Sequence, residues 1–284
     1  MEPDPDLLRC ALGSKPVAAE PIAGGYTRSH AWRVVTRDGL AFVKQADEEG
    51  SLHMLRREAI VYRNVREPFL PAFVGFADAG ARAVLAIEYI ADCRWPPPYP
   101  DDVALLFEAL AAMAATQPPD GLPRVSPLRA SWKDVAADPE PLLALGPCSQ
   151  AWLEQALPAL IDAESRAEWT GDALVHHDVY SGNLGFQGNR VVLVDWGAAS
   201  IGSPWSDVAF ALLSIRSEGG PLPTLDIPDE GAWAAALTAH FAVETPKPLP
   251  AWADAGSTLR ADMAQDLAVG LRWCVEALEL PPLP

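Results

Sequence analysis

The sequence predicts an α+β protein in two lobes, a small antiparallel sheet with one helix followed by a larger, mainly helical part. Three observations predict it. Residues 17–90 read as short strands broken by turns and interrupted by a single amphipathic helical run. Beyond residue 91, runs of helical length are punctuated by proline-rich turns at Pro96–Pro100, Pro118-Pro119 and Pro246–Pro250. Inside that helical part lies one exception, Leu174–Gly197, where two short apolar runs (Leu184–Phe186 and Val191–Val194) flank Gly188-Asn189, the signal of a tight β-hairpin. The lobes are drawn at residues 1–90 and 91–284.

Asp6–Leu12 reads as an opening helix. Val17–Ile22 and Ala31–Thr36 read as strands joined by the loop Ala-Gly-Gly-Tyr-Thr-Arg-Ser-His (23–30). Gly24 and Gly25 let that backbone press close to a ligand and point amides at phosphates, although a Gly-Gly pair also serves an ordinary hairpin and the loop lacks G-x-G-x-x-G. Arg37-Asp38-Gly39 turns into a third strand, Leu40–Gln45. The helix Ser51–Val65 follows, with Ser51 as cap and an inner stripe of Leu52, Leu55, Ala59 and Tyr62. Pro71–Ala77 and Ala83–Tyr89 complete a five-stranded sheet, and Glu88-Tyr89-Ile90 forms the hinge between the lobes. Later helices are expected at Val103–Thr116 (opened by Asp101-Asp102), Ser149–Arg166, Asp207–Ile215, Glu230–Val243 and Ala251–Leu280.

The chemistry concentrates in Leu174–Gly197. His176-His177-Asp178 is followed by Asn183, and then by Asp195-Trp196-Gly197 after the hairpin. A hairpin returns on itself, so Asp178, Asn183 and Asp195 meet in one small volume, a set of oxygen donors suited to a hard divalent cation. H-x-D-x-x-x-x-N followed by D-x-G is the kinase arrangement of an Asp base, a metal-binding Asn and a metal-binding Asp. Lys44 interrupts an apolar strand, where an unpaired ammonium is costly. Glu58 borders the inner stripe of the following helix and can point its carboxylate at Lys44, fixing it for the phosphates of a nucleotide. Arg56 and Arg57 lie on the wrong face to substitute for it. His176 lacks a second His or Cys at metal spacing; its imidazole is expected to hydrogen-bond backbone near Asp195.

On these residues the chain resembles the aminoglycoside phosphotransferase and choline kinase-like family, small-molecule kinases sharing the bilobal protein-kinase fold. The resemblance rests on His176-x-Asp178-x-x-x-x-Asn183, Asp195-Trp196-Gly197, Gly-Ser-Pro-Trp-Ser-Asp (202–207), Lys44 and Glu58. It departs from the common form at His177, where Gly is usual, and thins over residues 118–170, which in the family shape the acceptor pocket. The resemblance implies that the hinge backbone at Glu88 and Ile90 reads the nucleotide base, that Ile87 limits the pocket, and that Asp207 braces the backbone of the catalytic loop. It further implies ATP or GTP with Mg²⁺ as cofactors and a small hydroxyl-bearing acceptor, either an aminoglycoside or related antibiotic or a metabolite such as choline, homoserine, a sugar or a fructosamine. A nucleotide-binding pseudokinase is the alternative from another class. Protein-kinase activity is disfavoured, since no A-P-E follows and Gly197 and Asp207 are too close for a long activation segment.

Composition bounds the partners. The net charge of −17 is carried almost wholly by residues 91–284. Nucleic acid and anionic membranes are therefore poor partners, and a cationic acceptor approaching the second lobe is favoured. The four Cys have no metal-like spacing, and the opening Met-Glu-Pro-Asp-Pro-Asp lacks the pattern of a secretory leader, so a reduced, cytoplasmic protein is expected. Oligomeric state has no signature here.

Overall fold

The computed structural model describes residues 2–22, 30–96, 98–100, 103–250, 253 and 256–284. It opens with helix α1 (Pro5–Leu12), started by Asp4, whose carboxylate accepts from the amides of Asp6 and Leu7. Strands β1 (Ala18–Ile22), β2 (His30–Val35), β3 (Leu40–Ala46), β4 (Phe73–Asp78) and β5 (Ala83–Glu88) form one sheet in the order β1-β2-β3-β5-β4, antiparallel throughout. Helix α2 (Glu49–Asn64) lies between β3 and β4 in sequence.

Both sheet faces are covered, which is why the central strands read as apolar runs rather than clean alternations. Ala41 and Val43 of β3 and Val84 and Ala86 of β5 pack with Leu8 and Ala11 of α1. The opposite face, carrying Ala46, Leu85 and Ile87, packs with Leu52, Leu55, Ala59 and Tyr62 of α2. Gly75 is where α1 crosses β4 most closely: a Cβ there would stand 2.0 Å from the Ala11 carbonyl oxygen. Lys44 shares the face of Ala46, so strand alternation alone aims it at α2.

The second half holds α3 (Ala104–Ala115), α4 (Trp132–Ala137), α5 (Glu140–Ala144), α6 (Gln150–Glu164), α7 (Trp205–Ser217), α8 (Glu230–Glu244) and α9 (Leu259–Ala277). Two small antiparallel pairs lie among them: β6 (Ala173–Val175) with β9 (Ser200–Gly202), and the hairpin β7 (Leu184–Gln187) with β8 (Arg190–Leu193). One core cluster crosses residue 90, joining Leu55, Tyr62 and Leu85 to Leu106, Phe186, Leu193, Trp196 and Ile215. A second, built on Trp132, Leu153, Trp169, Trp233, Leu237 and Trp273, holds α4, α6, α8 and α9 together. No helix among the described residues is long and apolar enough to cross a membrane.

The expected elements are present, with ends that move by a few residues for identifiable reasons. Helix α2 starts ahead of Ser51, which is therefore not its cap; the Ser51 hydroxyl instead donates back to the Glu48 carbonyl. Ser149 does cap α6, its side chain accepting from the Trp152 amide. The last helix begins at Leu259 rather than Ala251, after Gly256 and Ser257, and ends at Ala277 ahead of the Pro281-Pro282 pair. Helix α7 begins before Asp207, which sits in its first turn. His30 belongs to β2, paired with Gln45, rather than to the glycine loop. Gly24, Gly25, Asp101 and Asp102 lie outside the described residues.

Asp207 is fully buried, and its two carboxylate oxygens each accept one backbone N–H, from His176 at 2.7 Å and His177 at 2.7 Å. Burial pushes its carboxyl up to about 7, against those two bonds. Asp207→Asn keeps the size but turns an NH₂ group toward one of the amides, leaving a buried donor unsatisfied. A loss of about 1–3 kcal/mol is expected, read as a lower denaturant midpoint with an unchanged slope.

Candidate active site

Four segments build the site: β3, α2, the loop after β6, and the loop after β8. The first supplies Lys44, whose side chain is 15% exposed. Its ammonium donates to Glu58 Oε2 at 3.2 Å and to Asp195 Oδ1 at 2.6 Å. Desolvation opposes the charge on Lys44, but the two carboxylates outweigh it and raise its pKa above the usual lysine value. Glu58 is 2% exposed. Burial drives its pKa upward, and the Lys44 ammonium works against that rise. Asp195 is pushed up by burial and pulled down further by Lys44, so it stays ionised below the usual carboxylate range.

Asp195 adopts the left-handed conformation, φ 63° and ψ 62°, which Asp tolerates better than most residues. That kink turns its carboxylate toward Lys44, while the following Trp196 is swallowed by the core at 0% exposed. The Trp196 ring lies 4.6 Å from the ring of His176, and His176 Nε2 donates to the Val194 carbonyl at 2.9 Å. The expectation for His176, a bond to backbone next to Asp195, is thus met. Burial holds its pKa down at about 4, so it is a neutral donor.

Asn183 ties the two ends of the loop together. Its side-chain nitrogen donates to the Asp178 backbone carbonyl and to Asp178 Oδ2, both at 3.0 Å, and its backbone carbonyl oxygen accepts from the Val194 amide at 3.0 Å. With the amide nitrogen committed to Asp178, the Oδ1 of Asn183 is left as an acceptor, the atom that can ligate a cation. Asp178 itself is exposed to solvent. Its pKa is raised to about 7, first by desolvation and then by the negative charge of Asp195, against the Asn183 bond and Lys44. Water reaching the cleft tempers the first cause, but the repulsion from Asp195 acts in the same direction.

The structure therefore brings together Lys44, Glu58, Asp178, Asn183 and Asp195 as expected. Among the described residues no group of three or more His, Cys, Asp or Glu side chains could hold a metal alone. The set available, Asn183 Oδ1 and the Asp195 carboxylate, supplies hard oxygen donors and fits a Mg²⁺ ion that completes its shell with phosphate oxygens and water. The Glu88 carboxylate accepts from the Ala72 amide at 2.9 Å and lies 3.6 Å from Arg190. Ile87 is buried in the core shared with α2. Arg56 is turned away from the site onto Asp78, at 2.8 Å. Trp273 is buried, and Glu276 pairs with Arg216 at 2.8 Å.

Sequence reasoning missed the direct bond from Lys44 to Asp195 and two further features. The first is a chain of polar contacts beneath the catalytic loop: the Ser181 amide donates to Ser214 Oγ at 3.1 Å, Ser214 shares a hydrogen bond with Tyr99, and the Ser181 hydroxyl donates to Glu218. The second is the setting of His177, at φ 65° with its ring among Trp169 and Phe210. A signal for it was present, since a residue standing where glycine is usual marks a left-handed backbone position.

Comparison with known proteins bears on the family and the fold. No curated protein matches the sequence. The model of the phosphotransferase enzyme family matches residues 18–227. A crystal structure of spectinomycin phosphotransferase in complex with ADP and spectinomycin superposes with a TM-score of 0.59 at 15% identity, covering 96% of this chain and 98% of that one. A choline/ethanolamine kinase family protein from Mesorhizobium loti gives 0.56 at 16% identity, covering 92% and 91%. A fructosamine-3-kinase homologue from Haemophilus somnus gives 0.55 at 13% identity, covering 95% and 96%. The fold is thus the one these kinases share, and with the greater part of its length matched by the family model, the chain belongs to the phosphotransferase enzyme family.

Proposed function

We propose that the protein transfers the γ-phosphoryl group of ATP or GTP to a hydroxyl of a small molecule. The observation that carries the reading is the Lys44 ammonium, held between Glu58 and Asp195 beside a carboxylate, Asp178, that is fastened by Asn183 and open to the cleft. In this reading Asp178 accepts the proton of the acceptor hydroxyl as that oxygen bonds to phosphorus, and the nucleoside diphosphate leaves. Lys44, fixed by Glu58, neutralises charge on the phosphates. Asn183 and Asp195 hold Mg²⁺, which when bound neutralises the phosphate oxygens. In this reading the backbone of Glu88 and Ile90 reads the base. The two lobes, 1–90 and 91–284, close on the nucleotide from either side.

The acceptor we propose is a cationic small molecule, an aminoglycoside or a choline-like amine. Beneath the catalytic loop, Glu218 bonds Ser181, and Asp266 accepts from Ser217 at 2.5 Å. Burial raises the pKa of both, Asp266 to about 6, against the bonds from Ser181 and Ser217, and the charge of Asp262 adds to each rise. A carboxylate set of this kind, in a half of the chain with a large acidic excess, favours cations. The kinases of similar fold are complexed with or named for spectinomycin, choline or ethanolamine, and fructosamine. Nucleic acid and membrane are not expected partners, and a cytoplasmic location fits the reading.

Asp178→Ala is expected to fold, to bind nucleotide as wild type does, and to lose turnover by roughly two to four orders of magnitude, the usual worth of a positioned base. Steady-state turnover beside nucleotide affinity tests it, and near-normal turnover removes Asp178 from its role.

Asp195→Asn removes one formal charge from a site facing a divalent ion and is expected to weaken nucleotide binding only when Mg²⁺ is present. Calorimetric titration with and without Mg²⁺ measures this; an unchanged metal dependence reduces Asp195-Trp196-Gly197 to a turn.

For a cationic acceptor, kcat/KM falls as salt rises at saturating nucleotide and Mg²⁺, because exposed charge pairs are screened beyond about 8–10 Å near physiological ionic strength. A panel of aminoglycosides, macrolides, choline-like amines and sugars identifies the best acceptor, and a flat salt profile with a neutral one refutes the cationic reading while leaving phosphotransfer standing.

A further inference from the structure

His177 directly precedes Asp178 and sits at φ 65°, a backbone position that suits glycine far better than an aromatic side chain. What holds it there is visible on both sides. Its amide donates to Asp207 Oδ1 at 2.7 Å. Its ring stands edge-on to Phe210 at 5.6 Å and 78°, and edge-on to Trp169 at 5.5 Å and 87°. Asp207 and Phe210 are neighbours on one face of α7, so a single helix grips both the backbone and the ring of this residue. Trp169 is in turn backed by Trp233 of α8 at 5.1 Å. The Nε2 of His177 is buried without a hydrogen-bond partner among the described residues, and burial lowers the ring's pKa to about 4. The ring is neutral and behaves as an aromatic wedge.

We propose that His177 is a positioning residue: its ring, lodged between Trp169 and Phe210, locks the left-handed backbone step that aims the Asp178 carboxylate into the cleft. Glycine at this position satisfies the backbone but leaves the torsions before Asp178 free to wander. Aromatic packing supplies the restraint that glycine lacks, and ties the base to the second core cluster, where Trp169 and Trp233 lie.

The inference rests on Asp178 being the residue that takes the acceptor's proton, and two variants separate it from that reading. His177→Gly relieves the backbone and removes the ring; His177→Phe keeps the ring and removes both nitrogens. The glycine variant is expected to lose kcat by about ten- to a hundredfold, the cost of a misplaced reacting group, with KM for nucleotide unchanged. Its backbone amides over residues 178–183 should exchange hydrogen faster than in wild type. The phenylalanine variant should stay close to wild type in both measurements. A glycine variant with wild-type kcat and wild-type exchange overturns the proposal. A phenylalanine variant as impaired as the glycine one overturns it as well, because the imidazole nitrogens then carry the role. Exchange needs no acceptor, so it decides the matter even if phosphotransfer fails; conversely, an Asp178→Ala protein that turns over normally ends the base assignment without touching the exchange result.

Discussion

The ammonium of Lys44 sits in a position where water can barely reach it, and nearly every other feature of the site follows from what that charge requires. Desolvating an ion costs several kcal/mol, recovered only when partners meet it in good geometry. Glu58 and Asp195 supply those partners from segments 14 and 151 residues away. For Glu58 to arrive, α2 must dock its apolar stripe on the sheet; for Asp195 to arrive, the chain must turn through a left-handed step just after β8. Removing either acid leaves the ammonium with half its compensation. Keeping both leaves the local charge negative, since Asp178 adds a third carboxylate against one cation. Positive charge is what this imbalance can accept.

The second requirement is that Asp195 and Asp178 hold station relative to each other, and here the hairpin β7–β8 is the frame. Val194 is held twice, its amide on the Asn183 carbonyl and its own carbonyl on His176 Nε2. The hairpin is in turn fastened to the first half of the chain. The Leu193 amide donates to the Phe69 carbonyl at 2.8 Å, Arg190 reaches the carbonyls of Pro68 and Leu70, and Gln187 reaches that of Ala91. A core cluster continuous across residue 90 makes the same link in apolar side chains. Positions on the sheet and positions on the catalytic loop are therefore fixed through one packed body, not through the hinge alone.

Local pattern made much of this legible. Strand alternation put Lys44 on the α2 face, helical spacing put Glu58 beside the inner stripe, and Gly188-Asn189 between two apolar runs implied the hairpin that joins Asp178 to Asp195. What stayed hidden depended on partners far away in sequence. The Ser181–Glu218 bond spans 37 residues and the Tyr99–Ser214 bond 115. The aromatic setting of His177 draws on Trp169, Phe210 and Trp233, which no period relates. Element ends were missed where capping differed from composition, as at Ser51, whose hydroxyl turned back to a carbonyl instead of opening the helix. Residues 118–170 fold as α4, α5 and α6 around Trp132 and Leu153, an arrangement set by packing rather than by any motif.

The acidic excess gains meaning from where the bases have gone. In the second half, Arg124 pairs with Asp172, Arg166 with Asp162 and Asp229, Arg216 with Glu230 and Glu276, and Lys247 with Glu244. Arg190 and Arg260 are spent on backbone carbonyls. Most of these pairs are exposed and each is worth little in stability. Their electrostatic consequence is larger, because residues 91–284 carry 26 acidic against 10 basic side chains, so the carboxylates outnumber the bases available to them. The fields of such carboxylates add, and in solution they fade over about a Debye length. Glu218, bonded to the Ser181 hydroxyl, and Asp266, bonded to Ser217, have pKa values that burial raises, with the charge of Asp262 adding to each rise. Like charges gathered in this way repel one another, a cost that the packing around them has to offset.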